Sequence, residues 1–557
     1  MPQSAEPRLA EQQLDLATLH EAVAAAIPDR ECLVWRDRRM TWREVTDRTR
    51  RLANVLRAHG LGRRDGPHEP WESPHDHLAL YLHNGPEYLE GLVGAHKARV
   101  APFNVNYRYV DDELAHLFAD ARPAAILYHA RFAGQVERVV QRLGGAPPLL
   151  LQVADDSGAP LAPGALGYED ALAAASAEPP PGVRPSPDDL QILYTGGTTG
   201  MPKGVLWRIG DLMHGPFQAR RRDGAALTDV GEAVARAVRG GHRVLVAPPM
   251  MHGGGTWSAL GGWCGGACVI FPHRVDGLDA DDLMDVAERE RATRMPIVGD
   301  AFARPIVESL ERRPRDLSSL RTLLNSAAGI SPGVKRRLLE LAPGARLVDV
   351  LGSSESGFSV TRQGADARFA LHPGAAVLSA DRTRRLAPGE DELGWLAKGG
   401  GSIPLGYLNA PEKTAATFLT VDGDRLVVPG DRARLLADGT VEVHGRDATT
   451  INTGGEKVFA EEVETVLRGL PGVTDALVLG RPSERWGSEI VAVVGPADAP
   501  DDAALRDGCA PHLARYKIPK AFVRTGRTLR LPNGKADYAA ARELVETSLD
   551  GPGETGE

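Results

Sequence analysis

The sequence is poor in cysteine and aromatic residues, and it has no cluster of basic residues. Four cysteines in 557 residues are too few for a disulfide framework, and Cys264 and Cys268 lack the histidines or second cysteine pair of a zinc site. The formal net charge of -9 offers no cationic surface to a nucleic acid. No apolar run reaches the roughly 18 residues of a membrane span, and the N-terminal residues lack a signal-peptide pattern. We therefore expect a cytoplasmic protein with buried thiols, without a nucleic-acid partner or a membrane span.

Three histidines lie close together in the segment GPHEPWESPHDH, namely His68, His75 and His77. Histidines at this density are compatible with a metal site. The prolines and polar residues around them favour a solvated loop, which is our prediction.

What the sequence does contain is a regular alternation of apolar strands and helical patterns. The strands LALYL (78–82) and AAILY (124–128) alternate with helical segments, one of which begins at Pro86, a residue suited to a first helical turn. This alternation predicts an α/β protein with a largely parallel sheet, whose ligands bind at the carboxyl ends of the strands. Near residue 438 the pattern changes to a hairpin with an Asp438-Gly439 turn, followed by helix, strand, strand, helix and strand. We therefore predict two domains, residues 1–446 and 447–557.

The segment YTGGTTGMPKG follows one of the predicted strands and combines glycines, threonines and a lysine. The glycines allow backbone amides to approach an anion, the threonines donate hydrogen bonds and the lysine adds positive charge. It is not a Walker A loop, since Pro202 stands where that motif has glycine, and no G-x-G-x-x-G follows a strand. A tight turn is the alternative, but a polyphosphate site accounts for the hydroxyls and the lysine together. The predicted phosphate contacts are Thr195, Gly196, Gly197, Thr198, Thr199, Gly200 and Lys203.

This loop and six further motifs resemble, in order, those of the adenylate-forming superfamily, which contains acyl-CoA synthetases, luciferases and peptide-synthetase adenylation domains. The six motifs are PPMMHGGG, NSAAGISP, LGSSESG, VPGDRARL, HGRDATTINTGGEKVFAEEVE and LPNGKAD. Within the superfamily, APFNVNYRYV and INTGGEKVFAEEVE are most similar to actinobacterial acyl-CoA synthetases that activate fatty acids or steroid side chains. The resemblance implies a large N-terminal domain of mixed, largely parallel sheets flanked by helices, with a small β-barrel-like part, and a small mobile α+β C-terminal domain.

The resemblance also implies a two-step reaction that uses ATP, Mg²⁺ and coenzyme A. A carboxylate first attacks the α-phosphate of ATP and releases pyrophosphate, and the thiol of coenzyme A then displaces AMP. Two anions must meet in the first step, and fixed cations and amide donors in a site with little water lower their repulsion. The implied partners are a small-molecule carboxylic acid, ATP and coenzyme A. The sequence leaves open whether the chain forms a homodimer.

Four residues have catalytic roles by this resemblance, namely Lys535, Glu355, Thr198 and His252. Lys535 in LPNGKAD matches the lysine that bridges the substrate carboxylate and the α-phosphate, a position that suits a compact ammonium. Glu355 in LGSSESG matches the glutamate that holds magnesium, with Thr198 as a second contact. The same stretch is not a nucleophile elbow, because Ser356 stands where G-x-S-x-G requires glycine.

Other residues match the nucleotide, acyl and thiol contacts of the superfamily. His252 matches an aromatic or histidine position that lines the acyl pocket, although a lone histidine is more often structural. Asp431 matches the carboxylate that accepts the ribose hydroxyls, and Arg446 matches an arginine that fixes the ribose; a surface ion pair is the alternative for both. The remaining matches are Ala327, Ala328 and Gly329 along adenine and the acyl group, Ser354 in place of a usual threonine, and Gly454, Gly455 and Glu456 along the approach of the thiol.

Three further positions depart from the superfamily pattern. Ala448, beside Asp447, stands at the pivot position that usually carries aspartate or lysine, which leaves the working hinge open. Gly196 replaces a serine and Pro429 replaces a threonine. Loss of the serine hydroxyl weakens one phosphate hydrogen bond by about 1 kcal/mol or transfers it to a backbone amide.

The substrate is defined less well than the reaction. The stretch HGGGTWSALGGWCGGAC (252–268) surrounds two tryptophans with glycines, which either leave room for a bulky acyl group or pack a helix against a sheet. APPMMHGGGTW has no acidic residue to bind the ammonium of an amino acid, which disfavours a peptide-synthetase role. An acyl-CoA synthetase is the favoured function. The alternatives are an acyl-AMP ligase that delivers to a carrier protein and a catalytically silent nucleotide and acyl binding module.

Overall fold

The computed structural model describes residues 14–196, 201–221, 225–327, 330, 332–363, 368–446, 450–529 and 537–549. Its helices are α1 (Leu16–Ala26), α2 (Trp42–Ala58), α3 (Pro86–Ala98), α4 (Asp111–Ala121), α5 (Ala133–Leu143), α6 (Tyr168–Ala174), α7 (Ile209–His214), α8 (Val230–Arg239), α9 (Gly253–Cys264), α10 (Ala280–Arg289), α11 (Gly299–Arg312), α12 (Pro332–Leu341), α13 (Pro411–Thr417), α14 (Ala460–Gly469), α15 (Asp502–Cys509) and α16 (Tyr538–Leu549). Its strands are β1 (Glu31–Trp35), β2 (Arg38–Thr41), β3 (His77–Tyr81), β4 (Ala101–Asn104), β5 (Ala125–His129), β6 (Leu149–Val153), β7 (Leu166–Gly167), β8 (Leu190–Gly196), β9 (Pro202–Arg208), β10 (Arg243–Leu245), β11 (Cys268–Phe271), β12 (Arg294–Ile297), β13 (Thr322–Asn325), β14 (Arg346–Ser353), β15 (Gly357–Gln363), β16 (Phe369–Leu371), β17 (Ala375–Leu378), β18 (Gly394–Gly399), β19 (Gly406–Tyr407), β20 (Phe418–Val421), β21 (Asp424–Val427), β22 (Asp431–Leu435), β23 (Thr440–Arg446), β24 (Thr450–Thr453), β25 (Glu456–Phe459), β26 (Asp475–Ser483), β27 (Gly487–Gly495) and β28 (Ala521–Arg524).

An eight-stranded sheet carries the glycine-rich segment, in the order β19-β9-β8-β4-β3-β5-β6-β7. The strands from β8 to β7 in this order run parallel, and β9 and β19 add an antiparallel edge. Strands β3 and β5 are buried along their whole length because helices pack on both faces of the sheet. The continuous apolar runs of the sequence thus correspond to central parallel strands, as predicted.

The second large sheet has a parallel and an antiparallel part. Its order is β2-β1-β11-β10-β12-β13-β14-β15-β16-β23-β22-β18-β21-β20, and β17 pairs with β18. The strands from β1 to β14 in this order are parallel, and those from β15 onward are antiparallel. The antiparallel part corresponds to the barrel-like part that the resemblance implies. Among the described residues it extends the large sheet instead of closing into a barrel, because its last strand, β20, pairs with β21 alone.

Helices α1, α2, α3 and α9 lie between the two large sheets. The core around them joins Leu80 and Leu127 of the eight-stranded sheet to Val244 and Phe271 of the other. Helix α3 begins at Pro86, as predicted, and all of its residues are buried. The two sheets therefore form one layered body with a shared core.

The C-terminal part contains a two-stranded hairpin, β24-β25, and a three-stranded sheet, β26-β27-β28. After the hairpin the order is α14, β26, β27, α15 and β28, which is the predicted succession of helix, strand, strand, helix and strand. The predicted Asp438-Gly439 turn joins β22 to β23, with a Gly439 φ of 78°. Residues 447–449, where we expect the joint, lie outside the described residues, so the boundary at 446/447 stays a prediction.

Two expectations about single residues have different outcomes. All four cysteines are free and buried, as predicted. His75 and His77, in contrast, are buried at 4% and 8% exposure, so the prediction of a solvated loop is wrong for them. The His75 Nε2 atom lies 3.1 Å from Asp189, and His77 bonds to the carbonyl of Ala121. Among the described helices, none is long and apolar enough to cross a membrane.

Candidate active site

Several predicted site residues lie at the carboxyl ends of parallel strands, namely Thr195 at the end of β8, Ala327 after β13, and Ser354 and Glu355 after β14. Strand β8 ends at Gly196 and β9 begins at Pro202. Thr195, at the end of β8, lines a cavity between the two large sheets. The predicted phosphate contacts Gly197, Thr198, Thr199 and Gly200 lie outside the described residues. The described part of the site therefore consists of the residues that surround this loop.

A buried asparagine, Asn104, fixes the strand that leads into the loop. Its side chain accepts a hydrogen bond from the backbone N–H of Tyr194 at 2.7 Å and donates to the Tyr194 carbonyl at 2.9 Å. It also donates to the carbonyl of Met251 at 2.6 Å. One amide thus joins β4, β8 and the residue before His252, so that the loop and the histidine are held in register.

The segment that presents His252 is held from two further sides. The Asn84 side chain donates to the Pro248 carbonyl at 3.0 Å and accepts from the backbone N–H of Met250 at 2.7 Å. The Thr256 hydroxyl donates to the carbonyl of Met250. His252 itself is the residue that precedes α9, so its ring projects from a tightly bonded turn.

Lys203, Tyr407 and Glu355 form a polar cluster, and Glu355 directly follows Ser354, which lines the same cavity as Thr195. The Tyr407 hydroxyl donates to Glu355 Oε1 at 3.0 Å, and the Lys203 ammonium lies 5.4 Å from the centre of the Tyr407 ring. Tyr407 is buried and belongs to β19, which pairs with β9. A carboxylate beside a lysine fits magnesium bound by one protein carboxylate and the oxygens of ATP phosphates. Among the described residues, no group of three or more histidine, cysteine or acidic side chains forms a complete metal site.

Asp431 and Ser354 line the same cavity as Thr195. Asp431 is buried, and its Cα lies opposite that of Arg446 in the β22-β23 ladder. The carbonyl of Ser354 accepts a hydrogen bond from the indole of Trp207 at 2.8 Å. The two residues predicted to contact the ribose are thus cross-strand neighbours, which the sequence separation of 15 residues could not show by itself.

Two cavities meet at His252. The inner cavity has a volume of about 250 Å³ and contains Thr195, Ser354 and Asp431 in its lining. The outer cavity has a volume of about 670 Å³, and its lining includes Arg274, Arg304 and Trp486. The residues that line both are His252, Gly254, Ser326, Ala327, Gly455 and Glu456. A molecule in the outer cavity can therefore reach one in the inner cavity at this junction.

Aromatic side chains form the apolar wall of the inner cavity. The Trp257 and Phe358 rings are perpendicular with their centres 6.0 Å apart, and Trp207 lies 6.4 Å from Trp257. The glycines of the 252–268 stretch differ in their surroundings, and packing of a helix against a sheet is observed at Gly262, whereas room for a bulky acyl group stays a prediction. Gly254 lines both cavities, whereas a Cβ on Gly262 would lie 3.1 Å from Val244 of the sheet.

The C-terminal hairpin β24-β25 supplies the remaining side of the junction. Gly454 and Gly455 form its turn with φ values of 57° and 85°, the left-handed conformation that favours glycine. A Cβ on Gly455 would lie 2.7 Å from Val298 Cγ1 of the N-terminal part. Glu456 follows, and its Oε1 lies 3.1 Å from His252 Nε2 and also pairs with Arg108. The hairpin therefore packs closely against the N-terminal part and places a carboxylate at the junction.

A second charged contact joins the two parts of the chain. The buried Lys517 ammonium lies 2.5 Å from Glu113 of α4 and 2.7 Å from Glu462 of α14. Burial raises the pKa of Glu462 to about 7, Lys517 opposes this rise, and the nearby carboxyl of Glu113 adds to it. At the rim, the His512 ring lies 2.9 Å from Asp112. The interface is thus held largely by ionisable side chains.

Family models match both parts of the chain. A model described as AMP-binding enzyme matches residues 20–408, and one described as AMP-binding enzyme C-terminal domain matches residues 462–535. The chain belongs to the AMP-binding enzyme family.

Curated relatives of this AMP-binding enzyme match over nearly their full length. The medium-chain acyl-CoA ligase Mig of Mycobacterium avium is 48% identical over 539 residues, which cover 94% of this chain and 96% of Mig. The medium/long-chain-fatty-acid–CoA/3-oxocholest-4-en-26-oate–CoA ligase of Mycobacterium tuberculosis (strain ATCC 25618 / H37Rv) is 35% identical over 549 residues, or 96% of each chain. The similarity to actinobacterial ligases of fatty acids and steroid side chains, which the motifs indicated, is thus confirmed.

Solved structures of other proteins share the fold of this AMP-binding enzyme. The o-succinylbenzoate CoA synthetase MenE of Bacillus subtilis superimposes with a TM-score of 0.75 at 22% identity and covers 94% of this chain and 98% of its own. The amide bond synthetase McbA of Marinactinospora thermotolerans gives a TM-score of 0.76 at 22% identity, covering 95% and 99%. The predicted fold class is confirmed by these neighbours.

Several predicted site residues of this AMP-binding enzyme have no described position. They are Lys535, Thr198, Gly197, Thr199, Gly200, Ala328 and Gly329, and the pivot candidates Asp447 and Ala448. For Gly196 and Arg446 only the strand assignment is described. Their roles therefore stay predictions from the resemblance.

Sequence reasoning missed five residues that the structure brings into or beside the site, namely Asn84, Asn104, Arg108, Tyr407 and Lys517. Asn84 follows the apolar strand β3 and Asn104 is the last residue of β4, and a polar residue at the carboxyl end of a strand is a signal that could have been used. Arg108 and Tyr407 come from segments distant in sequence from their partners, so no local pattern pointed to them.

Proposed function

We propose that this AMP-binding enzyme joins a hydrophobic carboxylic acid, a fatty acid or a steroid side chain, to coenzyme A through an acyl-AMP intermediate. Pyrophosphate leaves in the first step and AMP in the second. The observation that carries the proposal is the junction of two cavities at His252, Ala327 and Glu456. Two reagents that enter separately can react there, which a ligase with a thiol acceptor requires.

The inner cavity is the adenylate site in this proposal. Asp431 and Arg446 hold the ribose, and Thr195 with the loop that follows it and Lys203 hold the phosphates. Glu355, with Thr198, would hold magnesium, which would offset the charge of the ATP phosphates. The aromatic wall around Trp257 takes the start of the acyl group, since apolar surface there is already removed from water.

Lys535 completes the adenylate site in the first step. Its ammonium would bridge the attacking carboxylate and the α-phosphate, so that negative charge developing between them meets a fixed cation. It belongs to the C-terminal domain, which we place at residues 447–557. Rotation of this domain would exchange Lys535 for the Gly454-Gly455 turn between the two steps.

The outer cavity is the coenzyme A site. Arg274 and Arg304 of the N-terminal part and Arg485 of the C-terminal part line it, which suits the phosphates of this ligand. The names of the two relatives, one a medium-chain acyl-CoA ligase and one a ligase of fatty acids and a steroid acid, support an apolar acid and coenzyme A as the substrates.

A chromatographic assay of nucleotides and thioesters tests the function. The purified protein is incubated with ATP, magnesium, coenzyme A and a panel of short, long, aromatic and steroidal carboxylic acids. We expect AMP and an acyl-CoA in equal amounts with at least one apolar acid, and neither product from Asp431→Ala at the same concentrations. Acyl-AMP without thioester would instead indicate a ligase that delivers to a carrier protein, and ATP left intact with every acid would indicate a silent binding module.

A further inference from the structure

The imidazole of His252 faces a carboxylate from the other part of the chain at the junction of the cavities. Its Nε2 lies 3.1 Å from Glu456 Oε1, and 39% of the His252 side chain is exposed into the junction. Among the described residues, the other ring nitrogen, Nδ1, has no hydrogen-bond partner. A ring held through one nitrogen, with the second open to a ligand cavity, is the arrangement of a base with an orienting carboxylate.

The charge on Glu456 is well defined by its surroundings. Burial raises the pKa of this carboxyl, but His252 and Arg108, with a smaller contribution from Lys517, lower it to about 2. Arg108 in turn packs over Tyr107 and Tyr516, with its guanidinium carbon 5.6 and 5.8 Å from the ring centres. Glu456 is therefore a carboxylate at neutral pH, and it favours the His252 tautomer that carries its proton on Nε2.

We propose that His252 accepts the thiol proton of coenzyme A in the second step and that Glu456 is the positioning residue that orients its ring. The inference rests on the proposed function, because it assigns the thiol to the outer cavity. The proton passes from sulfur to Nδ1 as the sulfur attacks the acyl carbonyl carbon. The new C–S bond forms, the C–O bond to AMP breaks, and the electron pair leaves with the phosphate oxygen of AMP.

This arrangement links the base to the position of the hairpin. Glu456 belongs to β25, whereas His252 precedes α9, so the pair exists only while the hairpin occupies the junction. During adenylation, when Lys535 is needed, His252 would lack its carboxylate. The thiol would thus be activated only in the arrangement in which the acyl-AMP is already complete, and premature reaction at this base is avoided.

Single-turnover kinetics of preformed acyl-AMP with coenzyme A, from pH 5.5 to 9.5, test the pair. We expect His252→Ala to lower the rate near pH 7 by on the order of 10², the usual contribution of a general base. Its rate should then rise with pH through about 8.5, the ordinary pKa of a thiol, instead of levelling off. Added imidazole should restore part of the rate, because it can occupy the space of the missing ring and accept the proton.

Glu456→Gln keeps the shape and a hydrogen-bond acceptor but removes the charge. We expect a rate about tenfold lower and an acid limb displaced to lower pH, because the imidazolium loses its counter-charge. The control is His512→Gln, which removes the His512–Asp112 contact at the interface, 2.9 Å long in the wild type, without touching His252. It should lower the rate less and leave the profile in place.

The outcomes separate this inference from the proposed function. If the wild type forms acyl-CoA, but His252→Ala and Glu456→Gln lower the rate by one factor at every pH without rescue by imidazole, the two residues only hold the domains together. That result overturns the base assignment and leaves the ligase intact. If the wild type forms no acyl-CoA with any acid, the proposed function itself fails.

Discussion

On the N-terminal side of the site the loops are fixed by neutral, buried amides, whereas the C-terminal part of the chain is held against them by charged side chains. Asn84 and Asn104 bond to backbone groups within one rigid body. Glu456 and Lys517 pair with Arg108 and Glu113 across the interface. Breaking a buried amide contact leaves backbone groups without hydrogen-bond partners. Charged side chains that separate at the interface are instead hydrated again, so opening the interface costs less free energy. This difference suits a nucleotide site that stays fixed while the C-terminal part that closes it changes position.

The largest effect on a reaction rate is expected for Lys535, which the proposed rotation of the C-terminal domain would bring into the site. Lys535→Ala should lower acyl-AMP formation by on the order of 10² to 10³, the usual cost of one electrostatic contact to developing charge. Thioester formation from supplied acyl-AMP should suffer much less, since the proposed rotation would withdraw Lys535 before that step. Pyrophosphate release and single-turnover thioester formation measure the two steps, with the exposed Lys520→Ala as the control lysine of the same domain. Equal loss in both steps would remove Lys535 from the role of a first-step residue.

The support that the buried amides give to the N-terminal part can be tested by measuring the free energy of unfolding. Asn104→Ala removes three hydrogen bonds and leaves the N–H of Tyr194 and the carbonyl of Met251 without this partner. We expect the free energy of unfolding of the N-terminal domain to fall by about 2 kcal/mol. The control Asn54→Ala removes two bonds at the surface, to Ser176 and Glu178, and should cost less than about 0.5 kcal/mol. Equal losses in urea unfolding would show that Asn104 is not a special support.

The fold could be predicted further than the site. Apolar runs such as LALYL and the proline at the start of α3 determine local structure, so the alternation gave the parallel sheets and the order of the C-terminal elements. The pairing of His252 with Glu456, 204 residues apart, depends on how two folded parts dock. The burial of His75 and His77 likewise follows from Asp189 and Ala121, which no local pattern places beside them.

The fit of the hairpin can be tested with two matched glycines. Gly455→Ala introduces a Cβ 2.7 Å from Val298 in a residue with φ of 85°, and Gly439→Ala introduces one at φ of 78° with nothing within 4 Å. Both replacements strain a hairpin turn by about 1 kcal/mol. Only the first should also hold the hairpin away from the junction, so we expect thioester formation to fall about tenfold for Gly455→Ala alone. Similar kinetics for the two variants would mean that the fit against Val298 is unimportant.

The smallest effect is expected from the charge of the interface itself. Glu462 has a pKa of about 7 in the docked arrangement, and the carboxyl of Glu113, which belongs to the other part of the chain, contributes to this raised pKa, so docking takes up a proton. Docking should therefore be stronger at low pH and weaken as the pH rises through about 7. Glu113→Gln removes the neighbouring like charge and should flatten this dependence, changing the docked fraction by less than about tenfold.

Fluorescence energy transfer between dyes on the two domains, from pH 5 to 8.5, measures this docked fraction without any reaction. The matched control is Glu311→Gln, which removes an exposed carboxylate paired with Arg337 within the N-terminal part and should keep the wild-type dependence. If Glu113→Gln and the wild type respond alike, the Glu113–Lys517–Glu462 contact is not what couples docking to pH. The C-terminal part would then be held mainly through Glu456, the same residue that also orients His252.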